Sequence, residues 1–450
     1  MTAHTLPKWL DQLHELGPLF ESRAAEHDRS DSFVSENYAA LKKHKFFAAA
    51  IPAEFGGGGL SHSEMCDLLR TMAQFCGSTA LAHSMHQHLL AAMIWKSLRG
   101  QGGADFLRTV AAEQPVLIST GAHDWLESGG DTVKADGGFR VKALKSFASQ
   151  SAVGDILVTS APYNSRHEGW QVLHFSVPMK AEGVSVLNDW HTLGMRGTGS
   201  HTVRLDGVFI PDSSITLRRP RGKFHPVFNV VVTVAMSLIM SVYVGIAQKA
   251  AREAIHLAKR QKRPKPHLPA AIGAMINDLT AAEVQLKDMI RIANDLDFPP
   301  ENQIGQDILC RKTNVTNACV SAVTRALEIA GGQGFYRTFG LERLFRDIQA
   351  AKYHPLPEPE QQRFLGEYLL ALDRPSHDPL LGLYSTKSCG CHSRSASDPA
   401  DGSKSDRNRP DALPLRASTL AKPSLLGMVS PQPLSVTLEQ KKGATPIDAS

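Results

Sequence analysis

Trp190-His191-Thr192-Leu193-Gly194-Met195-Arg196-Gly197-Thr198-Gly199-Ser200 holds three glycines and three hydroxyl side chains within eleven residues. Glycine lets the backbone turn tightly, and hydroxyls with free amides gather hydrogen-bonding groups at one point. The stretch reads as a loop, so its flanks decide the fold. Residues 202–210 alternate apolar and polar side chains directly after it. Residues 116–120, 139–143, 155–160 and 170–177 show similar strand character, separated by Gly, Asn and Asp turns. A period near two predicts strands, and their short spacing predicts a β-barrel or sandwich over residues 116–222, not βαβ units. No Gly-x-Gly-x-x-Gly follows a strand there, so a doubly wound dinucleotide-binding domain is not expected.

On both sides the period lengthens to that of a helix. Residues 1–115 form the first helical domain, beginning with the stripe Leu10, Leu13, Leu16 and Leu19. A helix over 38–50 is expected to stop at Ile51-Pro52, because the residue before proline avoids the helical region. Ser61, with Glu64 three residues on, reads as a capping box starting the next helix, and residues 78–98 read as another, ended by Gly100. Beyond the strands, residues 223–372 predict a four-helix bundle, broken at Pro264–Pro269, at Pro299-Pro300 and at Gly331-Gly332. Residues 373–450 are rich in Pro, Ser and Asp steps without periodicity and read as a disordered tail. The fold class is therefore α+β: helices, then a β-domain, then a helical bundle.

A net charge of +5, spread unevenly with a cluster at Lys259–Lys265, does not describe a nucleic-acid surface. Cys66, Cys76, Cys310 and Cys319 fall in apolar or helical contexts and predict core thiols of a reducing, cytoplasmic compartment. Cys389, Cys391 and His392 sit in the tail and form too weak a pattern for a metal site. No secretory leader pattern opens the chain. Residues 226–248 carry no charge, long enough for a membrane span. Asn229, Thr233, Ser237 and Ser241 interrupt that run, and a basic amphipathic helix follows, so a buried bundle helix is expected and no membrane is.

Five segments in order resemble the acyl-CoA dehydrogenase superfamily across residues 20–370. They are Ile51-Pro52-Ala53-Glu54-Phe55-Gly56-Gly57; Gly138-Phe139-Arg140-Val141-Lys142-Ala143-Leu144-Lys145-Ser146-Phe147-Ala148-Ser149; the loop 193–200; Val208-Phe209-Ile210-Pro211; and Gly331-Gly332-Gln333-Gly334 with Leu341-Glu342-Arg343-Leu344-Phe345-Arg346-Asp347. The resemblance implies a flavin between the β-domain and the bundle, FAD with FMN as the alternative, in a homotetramer or homodimer. Thr120, Gly121, Ser149 and Ser200 are then apt partners for the carbonyls and ring nitrogens of an isoalloxazine, and Phe147 packs against the ring. Gln333 with Gly331, Gly332 and Gly334 would let backbone approach an adenine or pyrophosphate, and Arg260 matches an arginine near that phosphate. The plainer alternatives are a core phenylalanine at Phe147, a helix junction at Gly331-Gly332 and a solvated loop at 259–265.

The resemblance also locates a disagreement. Dehydrogenases of this family carry a glutamate that removes the proton α to an acyl-CoA thioester. One version, counted from Asp347, falls on Pro355, and the other falls near Ala235. Glu358 and Glu360 come later, in a proline-broken segment, and would need a changed loop to act. His354 stands almost where the base should be. It looks like the histidine of the superfamily's monooxygenases, which take reduced flavin from a separate reductase, and its proton moves near neutral pH. Its plainer alternative is a helix-terminal histidine before proline. His83, His86 and His88 lie on the helix toward the substrate side, and His83, His88 and His123 are candidate substrate contacts. His83 and His86 share a face but lack a third ligand, so no metal is expected. The expected function is a flavin-dependent monooxygenase acting on a small aromatic or heteroatom-bearing substrate. The rivals are an acyl-CoA dehydrogenase using Glu358 or Glu360, and an inactive paralogue with a structural role.

Overall fold

The computed structural model describes residues 6–120, 124–260 and 265–371, all within one unit of the chain. Gly121, His123, the tail 373–450 with Cys389, Cys391 and His392, and part of the basic stretch 259–265 lie outside the described residues.

Local signals set the first helices: α1 (Leu6–Ser30), α2 (Ser35–Lys43), α3 (His62–Phe75), α4 (Gly77–Leu98) and α5 (Ala104–Glu113). The Ser61 hydroxyl accepts from the Glu64 amide while the Glu64 carboxylate accepts from the Ser61 amide, completing the expected capping box of α3. Proline does not end α2. The helix stops after Lys43, and Lys45 turns left-handed at φ +61° to swing Phe46 and Phe47 fully inside. Burying two phenylalanines outweighs the roughly 1–2 kcal/mol cost of that backbone conformation.

Eight strands follow: β1 (Leu117–Ser119), β2 (Asp131–Ala135), β3 (Gly138–Lys145), β4 (Ile156–Ser165), β5 (Gly169–Pro178), β6 (Val184–Val186), β7 (Val203–Pro211) and β8 (Ile215–Pro220). They make two four-stranded sheets, ordered β1-β4-β5-β8 and β2-β3-β7-β6, with β1 parallel to β4 and all other pairs antiparallel. Inward residues of both sheets, among them Ile118, Leu157, Phe175, Phe139, Val141 and Leu205, share one core. This is a sandwich. Strands β2, β6 and β8 fall outside the five expected segments.

Helices resume with α6 (Val227–Lys259), α7 (Leu268–Ala293) and α8 (Asn302–Ala330), then shorten to α9 (Gly332–Phe335), α10 (Leu341–Ile348) and α11 (Glu358–Ala371). The fourth bundle position is filled in pieces by α10 and α11 against α6 and α8. By length and composition α6 is apolar enough to cross a membrane, yet its apolar window is almost wholly buried, packed against α3, α4, α7 and α8. Its Thr233, Ser237 and Ser241 hydroxyls each donate to a carbonyl four residues back, so none is left unpaired in the core.

The loop 190–200 joins these layers. Gly194 sits so close to α10 that a Cβ there would meet the Arg346 carbonyl oxygen at 2.3 Å. The Met195 amide donates to Asp347 at 2.5 Å, and the Trp190 indole donates to the Met195 carbonyl. Arg346 ties the same corner together by donating to Asp28 and Glu342. From the other side, the Leu117 amide at β1 donates to His86 of α4, and the Leu117 carbonyl accepts from Gln150.

Candidate functional site

Thr120 ends the described part of the first β-segment, its hydroxyl 2.6 Å from that of Thr159 and 3.4 Å from the Asp124 carboxylate. Beyond it, residues 124–129 are clamped by two buried cations. Lys145, 1% exposed, donates to both Asp124 oxygens at 2.9 and 3.0 Å and to the Gly129 carbonyl. Arg219, fully buried, donates to the carbonyls of Trp125 and Leu126 at 2.9 and 2.6 Å and to His174 Nε2 at 3.0 Å. That last bond needs a neutral imidazole, and burial, helped by the Arg219 charge, pushes His174 down to about 4.

Ser149 and Ser200, both expected to face a flavin, lie hydroxyl to hydroxyl at 2.8 Å. Ser200 in turn lies 2.7 Å from the Thr198 hydroxyl, which donates to the Met195 carbonyl at 2.8 Å. One proton per hydroxyl fixes the direction of the chain. Thr198 has spent its proton on Met195, so Ser200 donates to Thr198 and Ser149 donates to Ser200. Ser149 therefore offers its free lone pair as an acceptor. Phe147 is 43% exposed and packs against Trp190 with ring centroids 5.6 Å apart, so it is not a core filler. The accepting Ser149 hydroxyl and the half-exposed Phe147 ring are groups that an isoalloxazine N–H and ring edge can meet, and the site fits that group.

On the bundle side, His354 follows a short 3-10 turn after α10, and its Nε2 lies 2.6 Å from the Tyr243 hydroxyl of α6. Burial pushes the Tyr243 phenol well above its ordinary 10, so it keeps its proton and donates it to the ring. Burial, with Lys312 beside it, pulls His354 down to about 3, so the ring is neutral at neutral pH. Its proton then sits on Nδ1. His88 of α4 also bears on His354; it is almost fully buried and pulled to about 4 by that burial, against the opposing support of the Ser84 carbonyl one turn back.

The remaining expected residues lie elsewhere. His83 is fully buried against Phe47, stacked on His86 and reached by the Gln87 amide, so it serves the core and presents no face to substrate. His86 is fixed by Leu117 on one side and the Phe47 carbonyl on the other. Glu358 accepts from Asn317 and Gln362 in the first turn of α11, and Glu360 is exposed, so neither is turned toward His354. At the two positions where the resemblance places a base stand Pro355, half-buried, and Ala235, buried, and neither side chain can take a proton. Arg260 is exposed at the end of α6, and Gly331, Gly332 and Gln333 are exposed at the junction after α8, with Gly334 buried beneath them. No group of three or more His, Cys, Asp or Glu side chains among the described residues is arranged to hold a metal.

Sequence reasoning passed over Tyr243, Lys312 and the Asp124–Lys145–Arg219 clamp. For Lys312 a signal existed: Ile308, Lys312, Thr316, Cys319 and Val323 recur at helical spacing, and all five are buried. Tyr243 was hidden inside an apolar run where a tyrosine reads as filler.

Two family models match the chain: acyl-CoA dehydrogenase, N-terminal domain, over residues 19–112, and acyl-CoA dehydrogenase, C-terminal domain, over residues 237–358. YdbM of Bacillus subtilis, named provisionally as an acyl-CoA dehydrogenase, is 26% identical over 77% of this chain and 93% of its own length. A pigment production hydroxylase of a Rhodococcus species is 23% identical, covering 84% of this chain and 99% of that protein. The solved structure of KijD3 in complex with FMN and a dTDP-linked amino sugar superposes with a TM-score of 0.74 at 24% identity, over 86% of this chain and 98% of that one.

Proposed function

The chain belongs to the acyl-CoA dehydrogenase superfamily, and from that premise we propose that this flavin-dependent oxidoreductase is a monooxygenase working with reduced FMN supplied by a separate reductase. The observation that carries the reading is the Tyr243–His354 pair, at 2.6 Å, in the segment where a dehydrogenase needs a carboxylate. Removing a proton α to a thioester needs a fixed base, and Pro355 and Ala235 offer none. A neutral imidazole held by a phenol at Nε2 suits a different task, lending and recovering its Nδ1 proton during oxygen transfer.

When bound, the flavin supplies the two electrons by which one oxygen atom of O2 enters the substrate and the other leaves as water. The chain's own residues do the rest. Ser149, with its own proton committed to Ser200, accepts from a ring N–H, and a reduced isoalloxazine has more such donors than an oxidised one. His354 shuttles a proton at Nδ1 while Tyr243 keeps the ring oriented. A small aromatic or heteroatom-bearing molecule is the substrate class that belongs to this reading. The apolar faces of α4 and α6 exclude water. A homotetramer or homodimer in the cytoplasm belongs to the same proposal. The exposed Phe335 and Tyr336, 86% and 66% accessible beside Gly331–Gly334, support it as apolar surface of the kind a second copy covers.

Anaerobic titration of the purified protein with oxidised and reduced FMN and FAD tests the reading. Binding of reduced FMN at least about ten-fold tighter than oxidised FMN, worth about 1.4 kcal/mol, is the expected result. Tight retention of oxidised FAD with turnover of acyl-CoA thioesters would overturn it in favour of dehydrogenation, and failure to bind any flavin would leave a structural role.

A further inference from the structure

Lys312 stands out in the core of α8 because nothing around it matches its charge in the usual way. It is 1% exposed, and among the described residues its ammonium makes one hydrogen bond, to the Leu356 carbonyl at 2.9 Å. Among the described residues no carboxylate forms an ion pair with it within 4 Å. Glu358 acts on it only from a distance and is itself engaged with Asn317 and Gln362. An ammonium has three donors and is strongly hydrated, so sinking one into a helical bundle with a single partner carries a desolvation cost of several kcal/mol. A leucine or methionine would fill the same space without that cost. A buried charge this poorly matched points to a task.

The carbonyl it holds shows what the task is. Leu356 lies two residues beyond His354, in the turn between α10 and α11, and α6 supplies Tyr243 to the imidazole from the opposite direction. Lys312 thus pins one side of the His354 turn and Tyr243 the other. We propose that Lys312 is the positioning residue for His354: it anchors the Leu356 carbonyl and brings its positive charge to the turn that carries the ring. The charged and titratable groups that face this imidazole are few. Tyr243 comes from α6, His88 from α4 and Lys312 from α8, with Glu358 of α11 behind Lys312. Tyr243 and His88 are uncharged at neutral pH, so Lys312 is the cation that His354 meets. Two cations in one buried space repel, and the imidazole is the one that gives up its proton. Burial acts in the same direction, and it leaves Lys312 itself at about 8, a cation at neutral pH.

The inference rests on His354 as the proton-handling group of the proposed monooxygenase, but its test does not. In the full-length protein with 13C-labelled histidine, the His354 ring signal, identified by its loss in His354→Gln, is followed against pH without flavin. The expected result is an apparent pKa well below 6.5 in the native protein, raised by about one unit or more in Lys312→Met and restored by Lys312→Arg. An ordinary imidazole titration near 6.5 in the native protein overturns the proposal with no variant needed, which also covers the case in which Lys312→Met does not fold. An unchanged titration in a folded Lys312→Met overturns it too. A parallel readout is the pH dependence of reduced FMN reoxidation by O2. If the His354 signal shifts as expected while His354→Gln leaves reoxidation and substrate turnover untouched, the role of Lys312 stands and the monooxygenase reading falls.

Discussion

A hydroxyl has one proton to give, and that count decides what Ser149 presents to a ligand. The relay Ser149 to Ser200 to Thr198 ends on the Met195 carbonyl, so breaking it in the middle frees Ser149 to turn its proton outward. Ser200→Ala is expected to weaken reduced FMN binding by about 3- to 10-fold, the worth of roughly one hydrogen bond, with little change for oxidised FMN. Fluorescence titration under nitrogen measures both, and equal weakening of the two forms would contradict the assigned direction of the relay. Tyr243→Phe removes the hydroxyl that, among the described residues, is the partner of His354 Nε2. Leaving that ring nitrogen unpaired should cost about 1–3 kcal/mol of stability in urea unfolding. It should also slow turnover on any identified substrate about ten-fold or more through lost orientation of the ring. Wild-type turnover from a folded Tyr243→Phe would remove the pair from the mechanism.

At the scale of elements, stability rests on devices of quite different visibility. Ser61→Ala deletes one half of the α3 capping box and should lower stability by about 1 kcal/mol, read as a shift in the urea midpoint at constant slope. Lys145→Ala leaves the buried Asp124 without its lysine and with only the Gly129 amide and neighbouring hydroxyls as donors, and should cost about 3 kcal/mol while loosening residues 124–129, detectable as faster amide exchange there. The first device was written in the sequence as Ser61 and Glu64 before an apolar run. The second was not, because nothing local says that a lysine on β3 will turn inward to meet Asp124. The same contrast runs through the sheets. Strands β3, β4, β5 and β7 bury side chains within the sandwich, and their composition gave them away. Strands β2, β6 and β8 are mostly exposed, so their residues carry no apolar rhythm and only pairing with a neighbour makes them strands. In the site, Thr120, Ser149, Ser200 and His354 were legible through resemblance. Tyr243 and Lys312 come from helices far off in sequence, and only packing brings them to the imidazole.

Across the whole molecule, the buried imidazoles set how the protein answers acid. His62, His86, His88 and His174 are held at about 4, and His83 and His354 at about 3, in each case first by burial. In the unfolded chain each takes up its proton near 6.5. Between those values the unfolded state binds more protons than the folded one, so their contribution to stability is fully present above about 6.5 and falls as pH drops toward 4. Asp347 works the other way. Burial raises it to about 6, so the folded state takes its proton first, and its contribution is present at low pH and lost as pH rises through 6. One carboxyl does not offset six imidazoles. Around pH 5 unfolding should take up on the order of five protons, a slope of roughly 7 kcal/mol per pH unit. Urea midpoints measured from pH 8 to pH 4.5 should be nearly flat down to about 6.5 and then fall steeply. His174→Asn, which keeps an acceptor for Arg219 but cannot titrate, should make the fall shallower by about one proton. A midpoint that stays flat to pH 4.5 would mean that these imidazoles reach water or a counter-charge, and the neutral His354 on which the proton transfer depends would go with them.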